Sequence, residues 1–216
     1  MCLLSIKRCQ PAYAKLKDEI GKGSIGKVHQ VVAEFGLRID VDRLAKKDLG
    51  GGVTLDIGIY CVQLAQFVFN GEKPLKVLAG GHKNADDGVD ESVSVTLVYS
   101  AGSMASLVFT TRANTSCEAT IYGTEGSMTL KAPFWCPTKL QLKDGGIADF
   151  PLPESGKVAF NFRNSAGLGH EAQHVRECLL AGLTESPKVT HAETLAIAEL
   201  MEEIRKQVGV AYDQDD

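Results

Sequence analysis

The chain has 216 residues, of which 44% are hydrophobic and 23% are charged, and its formal net charge is −4 at pH 7. This length allows one large domain with a real core or two small ones, and the acidic balance argues against a nucleic-acid-binding surface. No apolar run approaches the roughly 18 residues of a membrane span, and the N-terminal apolar stretch is too short for a secretory signal. Six scattered cysteines indicate buried thiols, so a cytoplasmic protein is predicted.

Helix and strand signals alternate in the first part of the chain. The predicted elements are a helix over 11–20, a strand over 28–35 and a helix over 53–69. Pro11 suits the start of a helix, and Gly36 ends the strand. Three consecutive glycines at 50–52 come just before the second helix. They follow a polar loop rather than a strand, so they are only a weak candidate for a phosphate cradle.

Short strands separated by turn residues dominate the middle of the chain. The strands are predicted at 75–80, 91–99, 103–111, 115–122, 126–131, 138–142 and 148–152, followed by helices at 170–180 and 192–208. Short connections imply antiparallel neighbours. The predicted fold class is therefore α+β, with an open, mostly antiparallel sheet covered by helices on one face. The mild polarity of the second face is compatible with either solvent or a sheet-to-sheet homodimer.

Asp56 and Tyr60 lie four residues apart near the start of the predicted helix, so their side chains share one helix face. Gly58 lies between them and is expected to keep that face open. A tyrosine beside a carboxylate near a helix N-terminus is suited to exchange a proton with an alcohol or a carbonyl, since the helix dipole favours the phenolate. From spacing alone, however, an aspartate that caps the helix and a tyrosine that packs its ring are favoured.

A second chemistry-bearing motif, His-Glu-x-x-His, occupies residues 170–174. His170 and His174 have the spacing of two zinc ligands, Glu171 could activate a water molecule, and Glu193 is a possible third ligand. The motif opens a helix directly after a glycine-rich segment, and no edge strand precedes it to align a peptide. An amphipathic surface helix is therefore favoured over a zinc hydrolase, and no metal site is predicted.

Trp135 stands out among the aromatic residues because prolines flank it on both sides, in Pro133-Phe134-Trp135-Cys136-Pro137. The prolines hold a large ring in a short segment. Such a ring can form the wall of a pocket for an apolar or ring-shaped substrate.

Two segments together resemble the C-terminal domain of the glucose–fructose oxidoreductase and inositol dehydrogenase family, and most closely its dimeric dihydrodiol dehydrogenases. They are Ala33-Glu34-Phe35-Gly36 and Gly50-Gly51-Gly52-Val53-Thr54-Leu55-Asp56-Ile57-Gly58-Ile59-Tyr60-Cys61, supported by Phe134-Trp135-Cys136-Pro137-Thr138 and by residues 164–168, 170–179 and 185–187. The resemblance covers nearly the whole chain from Pro11 onward. It implies an atypical segment over 1–10 and a substrate-binding and dimerisation domain over 11–212. The acidic tail over 213–216 is expected to be frayed because it ends the chain.

The same resemblance implies a function and its residues. Tyr60 takes the acid/base position, Asp56 is its polar partner, and Phe35, Trp135 and Phe160 match positions near the substrate. The implied activity is NADP-dependent oxidation of a trans-dihydrodiol or of a pyranose such as D-xylose, by a homodimer that pairs through its sheet. The family's Rossmann domain and its glycine fingerprint are absent from this sequence, so a truncated chain is expected. A catalytically inactive binding or dimerisation module remains the alternative.

Overall fold

A computed structural model of the chain describes residues 6–154, 160 and 162–215. The chain folds into two compact units. The meander unit contains Met1–Val28 and Glu118–Thr194, and the mixed-sheet unit contains His29–Cys117 and Leu195–Asp216. The assignment of residues 11–212 to one substrate domain stays a prediction.

The mixed-sheet unit is built on four strands in the order β2-β3-β4-β1. They are β1 (Val28–Gly36), β2 (Lys76–Lys83), β3 (Asp90–Val98) and β4 (Met104–Thr110). The pairs β2–β3 and β3–β4 are antiparallel, whereas β1 runs parallel to β4. The prediction that successive strands are antiparallel neighbours holds for these two pairs and fails at β4, which pairs with β1 instead of with the next strand, because alternation along a strand does not specify which strand pairs with it.

Helical segments of the mixed-sheet unit lie on one face of these strands. They are α2 (Asp42–Ala45), a π-type turn (Thr54–Gly58), α3 (Ile59–Val68) and α5 (His191–Val208). The π-type turn and α3 both contact β4. Toward them the strands present buried apolar side chains such as Phe35, Leu107 and Phe109, while Met104 and Val108 are exposed on the other face. The predicted α+β fold, an open sheet covered by helices on one face, is confirmed.

The meander unit has its own antiparallel strands and helices. They are α1 (Pro11–Gly21), β5 (Ala119–Gly123), β6 (Gly126–Leu130), β7 (Lys139–Gln141), β8 (Ile147–Asp149) and α4 (Leu168–Leu180). Strands β5 to β8 pair in chain order. Helix α1 packs against β7 and buries Tyr13, whose hydroxyl donates a hydrogen bond to the carbonyl oxygen of Phe134 at 3.0 Å. Burial of an aromatic ring with its hydroxyl satisfied anchors this helix to the strands.

One described stretch, Lys47–Val68, is long and apolar enough by length and composition to cross a membrane. Of the apolar window within this stretch, 72% is buried inside the protein, as expected for a core helix. The five cysteines in the described part of the chain are thiols outside any disulfide, as the sequence predicts, and Cys2 lies outside that part.

Candidate active site

The glycine loop at 50–52 leads the chain into the helix that carries Asp56 and Tyr60. Gly50 and Gly52 have φ angles of 68° and 120°, which L side chains rarely adopt. The three glycine amides donate hydrogen bonds to backbone carbonyl oxygens of residues 44–47, each at 2.9 Å. Because these N–H groups already have acceptors, the loop does not fit a nucleotide phosphate.

Asp90, the first residue of β3, is buried at the start of the same helix. Its Oδ2 accepts hydrogen bonds from the backbone N–H of Thr54 at 2.7 Å and from the Thr54 hydroxyl at 2.5 Å. Its Oδ1 lies so close to Gly52 that a Cβ there would clash. The carboxylate thus caps the helix start, and its charge also opposes a phosphate at this place. Sequence reasoning missed Asp90 because it lies far along the chain from the turn that it caps.

The C-terminal tail also holds the glycine loop. The Tyr212 hydroxyl donates a hydrogen bond to the carbonyl oxygen of Gly51, and the Arg205 guanidinium lies 4.8 Å from the centre of the Tyr212 ring. Burial, helped by the charge of Asp90, raises the pKa of Tyr212 to about 12. The Arg205 hydrogen bonds lower the pKa of Asp215 to about 2. Asp215 is thus hydrogen-bonded to Arg205 and to the Tyr212 backbone, the frayed tail over 213–216 stays a prediction, and Asp216 lies outside the described residues.

Gly58 has a different role from the one expected. A Cβ at this position would lie 2.7 Å from Cε2 of the Phe109 ring, which is fully buried in β4. The absence of a side chain therefore lets the π-type turn approach the strand. The expectation that Gly58 keeps the face of Asp56 and Tyr60 open is wrong, because this glycine faces the core. Widened turns of this kind are frequent at functional sites.

Arg43, from α2, forms an ion pair with Asp56. Its guanidinium donates to both carboxylate oxygens of Asp56, with Nη2 at 3.3 Å from Oδ2. The Asp56 hydrogen bond, with the charges of Asp56 and of ionised Tyr60, raises the pKa of Arg43. Phe35 is 5% exposed and packs edge-on against the Tyr60 ring, with the ring centres 5.4 Å apart. The structure thus brings together Asp56, Tyr60 and Phe35, and it adds Arg43.

Sequence reasoning missed Arg43 because it lies in the polar stretch over 38–48, which has no periodicity. Arg43 lies 13 residues before Asp56, so helical spacing does not relate the two. The one available signal was charge complementarity between a cation in that stretch and the carboxylate, and this signal does not identify which of several cations is used.

Trp135 and Phe160 both belong to the meander unit. Trp135 is half-buried, and its ring meets Phe134 edge-on with the ring centres 5.8 Å apart. Phe160 is 47% exposed. Asp56, Tyr60 and Phe35 belong to the mixed-sheet unit, and a substrate role for any of these five residues stays a prediction.

The residues of the His-Glu-x-x-His motif make other contacts. His174 Nε2 lies 2.7 Å from Ser186 Oγ and 3.5 Å from Cys178 Sγ, and burial lowers the pKa of His174. Glu193 accepts a hydrogen bond from Arg8 at 2.5 Å. Among the residues that the structure describes, no group of three His, Cys, Asp or Glu side chains is placed to hold a metal ion. These contacts give no support to a zinc hydrolase.

A family model described as the GFO/IDH/MocA C-terminal domain matches residues 13–129. This range includes the glycine loop, Arg43, Asp56 and Tyr60. The chain belongs to the GFO/IDH/MocA family. The resemblance noted in the sequence is thereby confirmed, and the loop and turn described above are features of a GFO/IDH/MocA domain.

Curated relatives within the family share substantial identity with this chain. A trans-1,2-dihydrobenzene-1,2-diol dehydrogenase of Danio rerio is 44% identical over 206 residues, which cover 95% of this chain and 61% of the relative. The protein of the same name from Homo sapiens is 40% identical over 206 residues, with the same two coverages of 95% and 61%. The chain spans about three fifths of the length of these relatives.

Solved structures of family enzymes share the fold. A 3-ketoreductase from Actinomadura kijaniata, in complex with NADP and TDP-benzene, matches with a TM-score of 0.75 at 20% identity, over 96% of this chain and 62% of that one. An aldose-aldose oxidoreductase from Caulobacter crescentus, complexed with glycerol, matches with a TM-score of 0.71 at 23% identity, over 94% of this chain and 59% of that one. At these identities the matches show the fold alone.

Proposed function

We propose that the chain is the substrate domain of an NADP-dependent oxidoreductase that oxidises a trans-dihydrodiol or a pyranose such as D-xylose, with Tyr60 as the acid/base group. The observation that carries this proposal is the placement of Tyr60 at the start of α3, beside the ion pair of Asp56 and Arg43. The names of the curated relatives support a diol substrate. The NADP complex of the 3-ketoreductase supports the cofactor.

The chain's own contribution to this reaction is proton transfer and positioning. Tyr60 is of intermediate exposure, and its ring packs edge-on against buried Phe35. As a phenolate, Tyr60 would take the proton of the substrate hydroxyl as the alcohol carbon becomes a carbonyl. For Trp135 and Phe160, in the meander unit, we propose a substrate-binding role as apolar contacts.

A nicotinamide cofactor would supply the acceptor for the hydride that leaves the alcohol carbon. The glycine loop does not fit its phosphates, because the loop amides are engaged and Asp90 adds a negative charge beside them. We therefore assign cofactor binding to a separate nucleotide-binding domain. We also propose a cytoplasmic location, in keeping with the cysteines that remain thiols.

Substrate binding can be tested on the chain by itself because Trp135 is the only tryptophan. Titration with a trans-1,2-dihydrodiol should change the tryptophan fluorescence in a saturable way, whereas the cis isomer should have a weaker effect. Phe162 is an exposed aromatic residue near Phe160, so Phe162→Ala is a matched control for Phe160→Ala. We expect the Phe160 variant alone to weaken binding. No saturable change with either isomer or with D-xylose would rule out the substrate assignment.

The acid/base role needs a turnover measurement. When the chain is joined to the part of the Danio rerio relative that it does not cover, NADP⁺-dependent oxidation of a dihydrodiol should appear. Tyr60→Phe should lower kcat by roughly 10²-fold or more, because it removes the proton acceptor. Tyr122→Phe, at an exposed tyrosine in β5, should leave kcat unchanged. Equal turnover in the Tyr60 variant and its parent would exclude Tyr60 from the mechanism.

We also propose a homodimer that pairs through the uncovered sheet face of the mixed-sheet unit. Leu78, Met104 and Val108 are exposed there beside Ser94 and Ser106, and Glu34 of β1 is the register partner of Val108. Val108→Glu should shift the chain toward monomer in sedimentation velocity, because it places a second carboxylate beside Glu34 in the contact. Leu49→Glu, at an exposed leucine outside the strands, is the control. A parent chain that is monomeric at all concentrations would refute the dimer.

This face also favours the alternative function, a binding or dimerisation module without redox activity. NADPH fluorescence separates the two proposals in the joined protein. Cofactor binding together with substrate turnover supports the oxidoreductase, whereas dimerisation without turnover supports the module.

A further inference from the structure

The carboxylate of Asp56 creates an electrostatic problem for Tyr60. The two residues lie four positions apart at the start of one helix, where a negative charge on Asp56 opposes loss of the tyrosine proton. The proposed acid/base role requires that proton to leave. The chain therefore needs a positive charge close to both side chains.

Arg43 provides this charge. Both terminal nitrogens of Arg43 donate to Asp56, which is the bidentate geometry typical of a guanidinium and a carboxylate. The Arg43 side chain is 59% exposed and that of Asp56 is 25% exposed, so water screens part of the interaction. A guanidinium stays protonated throughout the pH range in which tyrosine titrates. The pair is therefore close to neutral as a whole at any pH where Tyr60 acts.

Strands β1 and β4 present apolar side chains near Tyr60. Phe35 of β1 presents an apolar ring, and β4 presents buried apolar side chains toward α3. The next residue on the helix, Cys61, is a buried thiol that donates toward a β4 carbonyl oxygen. Arg43 and Asp56 are charged neighbours of Tyr60, and they are paired with each other.

We propose that Arg43 is a positioning residue that ties the Asp56 carboxylate to α2 and offsets its charge, so that Tyr60 can ionise. The inference rests on the proposed function for its catalytic consequence, but the electrostatic relation among the three side chains is a property of this chain alone. It assigns to the mixed-sheet unit its own source of positive charge for the tyrosine, independent of any cation in a cofactor domain.

The test is a pH titration of Tyr60 in the chain as it stands, followed by NMR of ¹³Cζ-labelled tyrosine and assigned with Tyr60→Phe. Arg43→Gln should move the midpoint of the Tyr60 titration upward by roughly 0.5–1 pH unit, since Asp56 is left uncompensated. Asp56→Asn should move the midpoint downward by a similar amount, since Arg43 is left uncompensated. The double variant should return close to the parent. High salt should shrink both shifts.

This pattern of opposite signs separates charge compensation from structural damage. A merely structural ion pair would disturb the helix start in both single variants, so both midpoints would move in the same direction. The matched control is Arg112→Gln, because Arg112 is 60% exposed and pairs at 2.6 Å with Glu91, which is 23% exposed. That substitution should leave the Tyr60 midpoint in place.

Shifts of the same sign in the two single variants, or an unchanged midpoint in Arg43→Gln, would overturn the proposal. If Arg43→Gln fails to fold, Asp56→Asn decides by itself, because a downward shift supports the proposal and any other result overturns it. None of these measurements uses substrate or cofactor. A failed turnover assay would therefore reject the proposed function without touching this result, and the reverse also holds.

Discussion

The starts of α3 and α4 carry similar sequence patterns and have different surroundings. Each begins just after a glycine-rich segment, and each places two side chains capable of proton or metal chemistry four residues apart. Ahead of α3, a buried carboxylate caps the backbone and an arginine holds Asp56 beside Tyr60. In α4, by contrast, His174 is hydrogen-bonded to Ser186, and Glu193, the possible third metal ligand, is paired with Arg8.

The difference between the two helices lies in residues far away in the sequence. Asp90, Arg43 and Tyr212 all come from other elements, and they converge on the loop and turn before α3. In α4, by contrast, His174 of the motif is hydrogen-bonded to Ser186 and so joins the helix to the turn that follows it. A pair of residues at helical spacing is therefore a candidate site only when contacts from other elements position the pair and leave it available to a ligand. The following variants test how far this contrast holds.

The largest expected difference between the two helix starts is the contribution of a nearby carboxylate to stability. Asp90→Ala should lower the free energy of unfolding by about 2–3 kcal/mol, because the buried N–H of Thr54 loses a charged acceptor. Glu171, in the first turn of α4, has a pKa raised by burial, so its charge is not stabilised there. Glu171→Ala should therefore change stability by less than about 0.5 kcal/mol. Urea unfolding measures both, and equal losses would show that the two helix starts are alike.

A smaller effect is expected at one glycine of each helix start. Gly58→Ala should lower the free energy of unfolding by about 1–2 kcal/mol. The clash of the new methyl group with the buried Phe109 ring should outweigh the higher helix propensity of alanine. At Gly169, the nearest atom to a new Cβ is Cγ of Pro153 at 3.6 Å, an ordinary contact. Gly169→Ala should be neutral or slightly stabilising in thermal unfolding. A neutral Gly58→Ala would mean that the turn can move away from β4.

Local sequence patterns predicted most of the secondary structure. Pro11 starts α1 as predicted, and the helix predicted over 192–208 is observed as His191–Val208. Both depend on signals within a few residues, namely a proline, a terminal glycine and apolar periodicity. The parallel neighbour of β4 and the π-type turn were not predictable in this way. Strand pairing depends on distant segments, and the turn depends on the close approach of Gly58 to a ring on another strand.

The candidate site was predictable only in part for the same reason. Asp56 and Tyr60 share one local pattern, and Phe35 entered through the family resemblance, which carries information from other proteins. Arg43 and Asp90 have no local signature, because an ion pair or a cap made across 13 or 36 residues leaves no periodicity in the sequence. Contacts of this kind supply both the cap and the charge at the start of α3.

The smallest expected effect concerns the pH dependence of α4. Burial lowers the pKa of His174 from its ordinary value near 6.5, so the unfolded chain takes up the proton before the folded chain does. The stability that neutral His174 contributes is complete above about pH 6.5 and is lost as the pH falls through the lowered pKa. His174→Gln keeps hydrogen-bonding capacity toward Ser186 but does not titrate. The urea midpoint of this variant should therefore fall less between pH 7.5 and pH 5 than that of the parent. An equally steep fall would show that protonation of groups other than His174 controls the acid stability of the chain.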